Sequence, residues 1–127
     1  MPAPAARPRR VVLIVEDDPD ALDAITTVLE EAGYDALRAA NGLEALGQLG
    51  DHKGRCDLIL LDLMMPVMDG RAFLEAQSAD PSLSQIAVLV ISAATGSGAL
   101  AGTPGVSGVF SKPLALDGLL DAIVRCL

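Results

Sequence analysis

Three short runs of continuous apolar residues constrain the fold of this chain more than any other feature of its sequence. They are Val11 to Val15, Leu58 to Leu61 and Ile86 to Ile91. A run of this length is typical of a strand buried on both faces of a sheet. Weaker strands are predicted over Tyr34 to Ala39 and Ser107 to Ser111, and stretches with helical spacing separate the runs. The alternation predicts an α/β fold, (βα)5, with a doubly wound parallel sheet covered by helices on both faces.

Local signals mark where the helices begin and end. Asp18 suits an N-cap and Pro19 the first helical position, and Gly33 ends that helix. Asn41 opens a second helix, with Glu44 placed for a capping box.

Apolar spacing predicts which helix faces are buried. The second helix presents a stripe of Leu43, Leu46 and Leu49. The last helix is predicted to bury six residues: Leu116, Leu119, Leu120, Ile123, Val124 and Leu127.

The length of 127 residues fits one domain. Residues 1–8, rich in Pro and Ala, are predicted to be a flexible leader before a domain over residues 9–127. A net charge of −8 with nine Lys and Arg residues offers no clustered basic face, so direct nucleic-acid contact is not expected. No run approaches the roughly 18 apolar residues of a membrane span. The two cysteines form no spaced framework, which favours a reduced, cytoplasmic setting.

Polar residues at the ends of the predicted strands are the candidate functional site. Glu16 and Asp17 follow the first strand, Asp62 the third, Ser92 the fourth and Lys112 the fifth. The carboxyl ends of parallel strands share one edge, where such sheets place their ligands. Three carboxylates meeting there repel one another unless a cation lies between them. Oxygen ligands without His or Cys suit a hard ion such as Mg²⁺.

This combination of residues predicts phosphoryl transfer to a carboxylate. A carboxylate beside Mg²⁺ can act as a nucleophile on a phosphoryl group, with the Lys112 ammonium and the Ser92 hydroxyl stabilising its oxygens. Each residue also has a plainer interpretation: Asp62 as a turn or capping residue, the acids from Glu16 as helix caps, Ser92 as a turn hydroxyl and Lys112 as a surface charge.

With these residues in view, the chain resembles the receiver domains of two-component response regulators. The resemblance covers about Arg9 to Leu127 and depends on the segments VVLIVEDDPDAL, NGLEAL, DLILLDLMMPVMDG, VLVISA and SKPL. It implies a flavodoxin-like three-layer sandwich with a five-stranded parallel sheet in the order 2-1-3-4-5.

The resemblance also implies roles for individual residues. Asp62 looks like the phospho-acceptor, Asp17 like a direct Mg²⁺ ligand and Glu16 like an acid that holds the ion through water. The backbone carbonyl of Met64 would be a further ligand.

Three more residues match positions that act on the phosphoryl group. Ser92 matches the hydroxyl that moves to bind it, and Lys112 the lysine that pairs with it. Pro113 matches the proline expected after a cis bond.

Three features depart from the family pattern: the residue three positions before the lysine, a Gly-rich and short segment between Ser92 and Lys112, and the small apolar Ala94 where many members carry a polar side chain. The aromatic residue usual three positions before the lysine is replaced by Val109, so an aromatic rotamer switch cannot operate there. Phe110 is adjacent, but one residue along a strand faces the other way.

The function expected from the resemblance is a phosphorylation switch. A sensor histidine kinase or histidine phosphotransfer protein would donate a phosphoryl group to Asp62, and a protein-interaction face would then engage a downstream protein. Such a chain catalyses only its own modification and is not an enzyme with an external substrate. Two alternatives remain: a protein-binding module of this fold that needs no phosphate, and a Mg²⁺-dependent phosphatase. The phosphatases carry a second Asp two residues after the nucleophile, where this chain has Met64.

Overall fold

A computed structural model of the chain describes residues 10–52, 55–63, 67–92, 106–111 and 116–127. Its strands are β1 (Val11–Val15), β2 (Asp35–Ala39), β3 (Leu58–Asp62), β4 (Ala87–Ser92) and β5 (Val106–Ser111). The helices in these ranges are α1 (Pro19–Glu31), α2 (Gly42–Asp51), α3 (Gly70–Ala79) and α4 (Leu116–Cys126). The predicted leader, residues 1–8, lies outside the described residues, as does the segment between Ser92 and Val106.

The five strands form one parallel sheet in the order β2-β1-β3-β4-β5, which confirms the predicted fold. β1 lies between β2 and β3: Val15 is opposite Ala39 of β2 on one side and opposite Leu61 of β3 on the other. Asp62 lies opposite Ile91 of β4. The strand ends therefore meet at one edge of the sheet, and the strand order reverses beside β1.

Two hydrophobic clusters cover the two faces of the sheet. One packs α2 and α3 against residues such as Leu13 and Leu61, and the other packs α1 and α4 against residues such as Ile14 and Leu60. Each strand contributes side chains to both clusters, because successive side chains along a strand point to opposite faces of the sheet. On β5, Val109 joins the first cluster and Phe110 the second, which confirms that they face opposite ways.

The predicted signals at the helix ends are confirmed. Asp18 caps α1, because its side chain accepts from the Asp20 amide at 3.0 Å. Gly33 follows α1 with φ +96°, and the amide of Tyr34 donates to the Leu29 carbonyl at 3.0 Å. These contacts close the helix in a Schellman motif.

The cap of α2 is also confirmed, with one difference. The Asn41 side chain accepts from the Glu44 amide at 2.9 Å. The Glu44 carboxylate accepts from the amide of Ala40 rather than from that of Asn41. The reciprocal bond of the capping box is therefore displaced by one residue.

Two predictions about helix faces are wrong. Leu43 is 56% exposed, because α2 turns Gly42, Ala45 and Leu49 inward. Val124 is 63% exposed on α4. Of the α4 side chains that the structure describes, Leu119, Ala122 and Ile123 are buried and Leu120 is half-buried, and the Leu116 side chain lies outside them. Within the described ranges, no helix is long and apolar enough to cross a bilayer.

Candidate functional site

Three carboxylates meet at the edge of the sheet where the strands end. Glu16, Asp17 and Asp62 each offer an oxygen, and these oxygens lie within 4.8 Å of one another. Glu16 directly follows β1, and its amide donates to the Ala39 carbonyl of β2 at 3.0 Å. Asp62 is the last residue of β3. The pairing of β1 with β3 therefore brings together acids that are far apart in the sequence, as predicted.

The three acids differ in their exposure to solvent. Glu16 and Asp62 are each 3% exposed, whereas Asp17 is exposed. Carboxylates this close repel one another when ionised, and burial of two of them strengthens the repulsion. A divalent cation would relieve it, and an all-oxygen donor set with one solvent-facing member suits an ion that keeps several waters, such as Mg²⁺. The residues present therefore fit the predicted magnesium ion.

The other predicted site residues are described only in part. The backbone of Ser92 ends β4, one residue beyond Ile91, which pairs with Asp62. Ser92 pairs with Ser111, the residue before Lys112. The Ser92 side chain, Met64, Lys112 and Pro113 lie outside the described residues, so their predicted roles stay predictions.

The backbone around Asp62 is held by hydrogen bonds to its neighbours. The amide of Leu63 donates to the Ile91 carbonyl at 3.2 Å, and the amide of Gly70 donates to the Leu63 carbonyl at 3.0 Å. The second bond joins the two ends of the connection between β3 and α3. We call residues 63–70 the acceptor loop, after the predicted role of Asp62; the structure describes 63 and 67–70 of them.

Gly70 fits against the backbone of Asp62 because it has no side chain. A Cβ atom at Gly70 would lie 2.7 Å from the Leu63 Cα and 2.8 Å from the Asp62 carbonyl oxygen. Asp69 caps α3 immediately before it, accepting from the Ala72 amide at 2.9 Å. The start of α3 is therefore packed directly onto the end of β3.

A contact with α2, which the sequence analysis missed, holds the acceptor loop from the other side. The amide of Gly42 donates to the Met68 carbonyl at 2.9 Å. A Cβ atom at Gly42 would lie 2.7 Å from Met68 Cγ. The signal available in the sequence was a glycine directly after the Asn41 cap, which marks a close backbone approach as well as a helix start.

Val67 has an unusual backbone conformation. Its φ is +68°, which a β-branched residue rarely adopts, and its side chain is 80% exposed. Its burial is therefore too small to compensate for the strain. Strained residues of this kind persist where the surrounding structure holds them and often lie near functional sites.

Two titratable groups with shifted pKa values lie outside this site. Burial raises the pKa of the Cys56 thiol, which lies before the start of β3 and contacts the Leu58 carbonyl at 3.1 Å. Hydrogen bonds from the Ser82 hydroxyl and amide hold the pKa of Asp80 below its usual range. Cys56 is at the opposite end of β3 from Asp62, and Asp80 follows the C-terminus of α3, so neither contributes to the acidic cluster.

Comparisons with known proteins agree with this geometry. The family model of the response regulator receiver domain matches residues 12–124. The chain is 31% identical over 114 residues to the polar-differentiation response regulator DivK of Brucella anthropi, a match covering 88% of this chain and 91% of DivK. It is 38% identical over 82 residues to the DNA-binding dual master transcriptional regulator RpaA of Synechocystis, covering 65% of this chain but only 33% of RpaA. The structure of the chemotaxis response regulator CheY4 of Vibrio cholerae superposes with a TM-score of 0.82 at 30% identity, covering 94% of this chain and 99% of that one.

Proposed function

The chain belongs to the response regulator receiver domain family of two-component signalling, and on this premise we propose that phosphorylation of Asp62 switches its affinity for a partner protein. The observation that carries the proposal is the cluster of Glu16, Asp17 and Asp62 at the carboxyl edge of the sheet. Asp62 is the member at the end of a central strand, beside the strand that ends in Ser92.

The phosphodonor is a phosphohistidine of a sensor histidine kinase or a histidine phosphotransfer protein. A carboxylate oxygen of Asp62 attacks the phosphorus atom and forms the acyl phosphate. The bond between phosphorus and the imidazole nitrogen breaks, and its electron pair leaves with the imidazole. Mg²⁺, when bound, neutralises charge on the phosphoryl oxygens. Glu16, Asp17, Asp62 and the Met64 carbonyl are the proposed ligands.

Ser92 and Lys112 are the proposed partners of the transferred group. The pairing of Ser92 with Ser111 supports this, because Ser111 precedes Lys112 and β4, which ends in Ser92, is the strand next to β3. A hydroxyl and an ammonium group there would donate to phosphoryl oxygens that carry new negative charge.

The added charge at this edge is proposed to shift the domain toward a form that binds a downstream protein. Val109 packs with the α2 and α3 cluster on one face of β5. The switch therefore works without the rotation of an aromatic ring at this position.

Incubation of the chain with acetyl phosphate and Mg²⁺ tests the proposal. Intact mass spectrometry should show a gain of one phosphoryl group in the wild type and none in Asp62→Asn. Asp121→Asn is the matched control, because Asp121 is an exposed acid on α4. Chelation of Mg²⁺ with EDTA should abolish the gain in both the wild type and the control.

Two results would contradict the proposal. One is a wild-type chain that stays unmodified with abundant donor and metal. The other is a phosphoryl group that persists in Asp62→Asn. An identified downstream partner that binds Asp62→Asn and the phosphorylated wild type equally well would instead favour the phosphate-independent binding module.

A further inference from the structure

We infer that Gly42 is a positioning residue for the acceptor loop, acting on it from α2 through the Met68 carbonyl. α2 contributes no member of the acidic cluster found among the described residues. Its first residue nevertheless contacts the loop that follows Asp62. The inference rests on the proposed function in that it takes Asp62 as the phospho-acceptor.

The contact between Gly42 and Met68 is a close backbone packing that only glycine permits. Besides the 2.9 Å hydrogen bond, a Cβ atom at Gly42 would lie 2.9 Å from the Met68 carbonyl oxygen. Side chains essentially never approach a backbone oxygen this closely, so Ala at this position must push the loop away. Gly42 itself is buried, which leaves α2 little room to move instead.

The loop transmits this contact to Asp62 over a short distance. Met68 is two residues before Gly70, which lies against the Asp62 carbonyl oxygen and donates to the Leu63 carbonyl. The residue between them, Asp69, is fixed as the cap of α3. A displacement at Met68 therefore reaches the backbone of the acceptor through only two linked residues.

The conformation of Val67 shows why the loop needs an external contact. Its φ of +68° is unfavourable for a β-branched residue, and the exposed side chain gains little from burial. Left alone, this segment would relax toward negative φ. The contacts of Met68 with α2 and of Gly70 with β3 hold it in place on either side of Asp69.

Amide hydrogen exchange in the metal-free protein tests the inference without any phosphoryl transfer. In Gly42→Ala, the Gly70 amide should exchange about tenfold faster, because the loop opens more often. The Ile123 amide in α4 should keep its wild-type rate, which excludes general unfolding. Gly47→Ala is the matched control, since Gly47 is in the same helix and its added Cβ would meet nothing within 4 Å. Equal Gly70 rates in the two variants would overturn the inference.

A second variant covers the case in which Gly42→Ala does not fold. Val67→Asn replaces the strained residue by one that tolerates positive φ. It should slow exchange of the Gly42 and Gly70 amides by the same factor, because both report opening of one loop. Slower exchange of only one of the two amides, or of neither, would show that α2 and the loop are not coupled.

Phosphorylation by acetyl phosphate then tests whether the conformation of the acceptor loop affects the reactivity of Asp62. The rate of Asp62 modification should fall about tenfold in Gly42→Ala, because a shift of the backbone that carries Asp62 misplaces the attacking carboxylate, and stay near wild type in Gly47→Ala. In the double variant Gly42→Ala with Val67→Asn, part of the rate should return. A wild type that cannot be phosphorylated would refute the proposed function, and the exchange result would still decide whether Gly42 positions the acceptor loop. Normal phosphorylation in Gly42→Ala would refute the positioning role alone.

Discussion

Val67 shows how a single residue can carry strain that no sequence pattern reveals. It is a valine, the kind of side chain least expected at positive φ, so nothing in its residue type indicates this conformation. The conformation results from contacts on either side of it, at Met68 and Gly70, which link α2, β3 and α3. The sequence could mark the turn, but the dihedral angle depends on tertiary packing.

Replacement of Val67 by Asn should stabilise the protein. Asn adopts positive φ more readily, so Val67→Asn should raise the free energy of unfolding by about 1 kcal/mol. Urea denaturation measures the change. Val124→Asn is the control, because Val124 is also exposed but lies within helix α4. Val and Asn have similar helix propensities, so the control should be nearly neutral. Equal stabilities for the two variants would show that φ at Val67 carries no strain.

At the scale of single elements, helix ends were predicted correctly, whereas helix faces were predicted only in part: Leu49, Leu119 and Ile123 are buried as expected, but Leu43 and Val124 are exposed. Caps depend on local chemistry: Asp18, Gly33 and Asn41 each satisfy backbone groups within a few residues of themselves. The buried face of α2 depends instead on what it meets. Spacing alone predicted one stripe that included Leu43, whereas the helix turns Gly42, Ala45 and Leu49 inward and packs Gly42 against Met68.

Substitution by Ala should change the free energy of unfolding in opposite directions at Gly33, which follows α1, and at Gly47, which lies within α2. Gly33→Ala should lower the free energy of unfolding by about 1 kcal/mol, because φ +96° is unfavourable for any residue with a Cβ. Gly47→Ala should raise it by about 0.5–1 kcal/mol, because Ala is the better helix former and the added methyl group meets open space. Thermal or urea unfolding compares the two variants with the wild type. A loss of stability in Gly47→Ala would contradict the position assigned to it on α2.

At the scale of the whole molecule, the sheet assembles the site from distant parts of the chain. The runs that end in Glu16 and Asp62 predicted both the strands and their shared edge, because parallel strands align their carboxyl ends. The same logic could not anticipate that α2 holds the acceptor loop. That contact depends on how two connections pack, and neither periodicity nor capping encodes it.

Binding of Mg²⁺ should stabilise the folded protein as a whole. An ion that binds only the native acidic cluster adds about 2.7 kcal/mol at a free concentration a hundred times its dissociation constant. The midpoint of thermal unfolding should rise with added MgCl₂ and return to its starting value with EDTA. Asp17→Asn, which removes the exposed member of the cluster, should lose most of this rise, and Glu30→Gln, an exposed acid farther along α1, should keep it. A rise of the same size in both variants would indicate binding elsewhere.

The pairing of β1 with β3 has a consequence for the newly made chain. The two strands pair directly although β2 lies between them in the sequence. The Val11 amide at the start of β1 donates to the Asp57 carboxylate at 2.8 Å, across a separation of 46 residues. Long-range pairing of this kind forms slowly, because a large loop must close before any contact compensates for its lost entropy. A partly synthesised polypeptide that lacks β3 would contain Glu16 and Asp17 but not Asp62. The acidic cluster would then be complete only once the ribosome has released enough chain for β3 to dock beside β1.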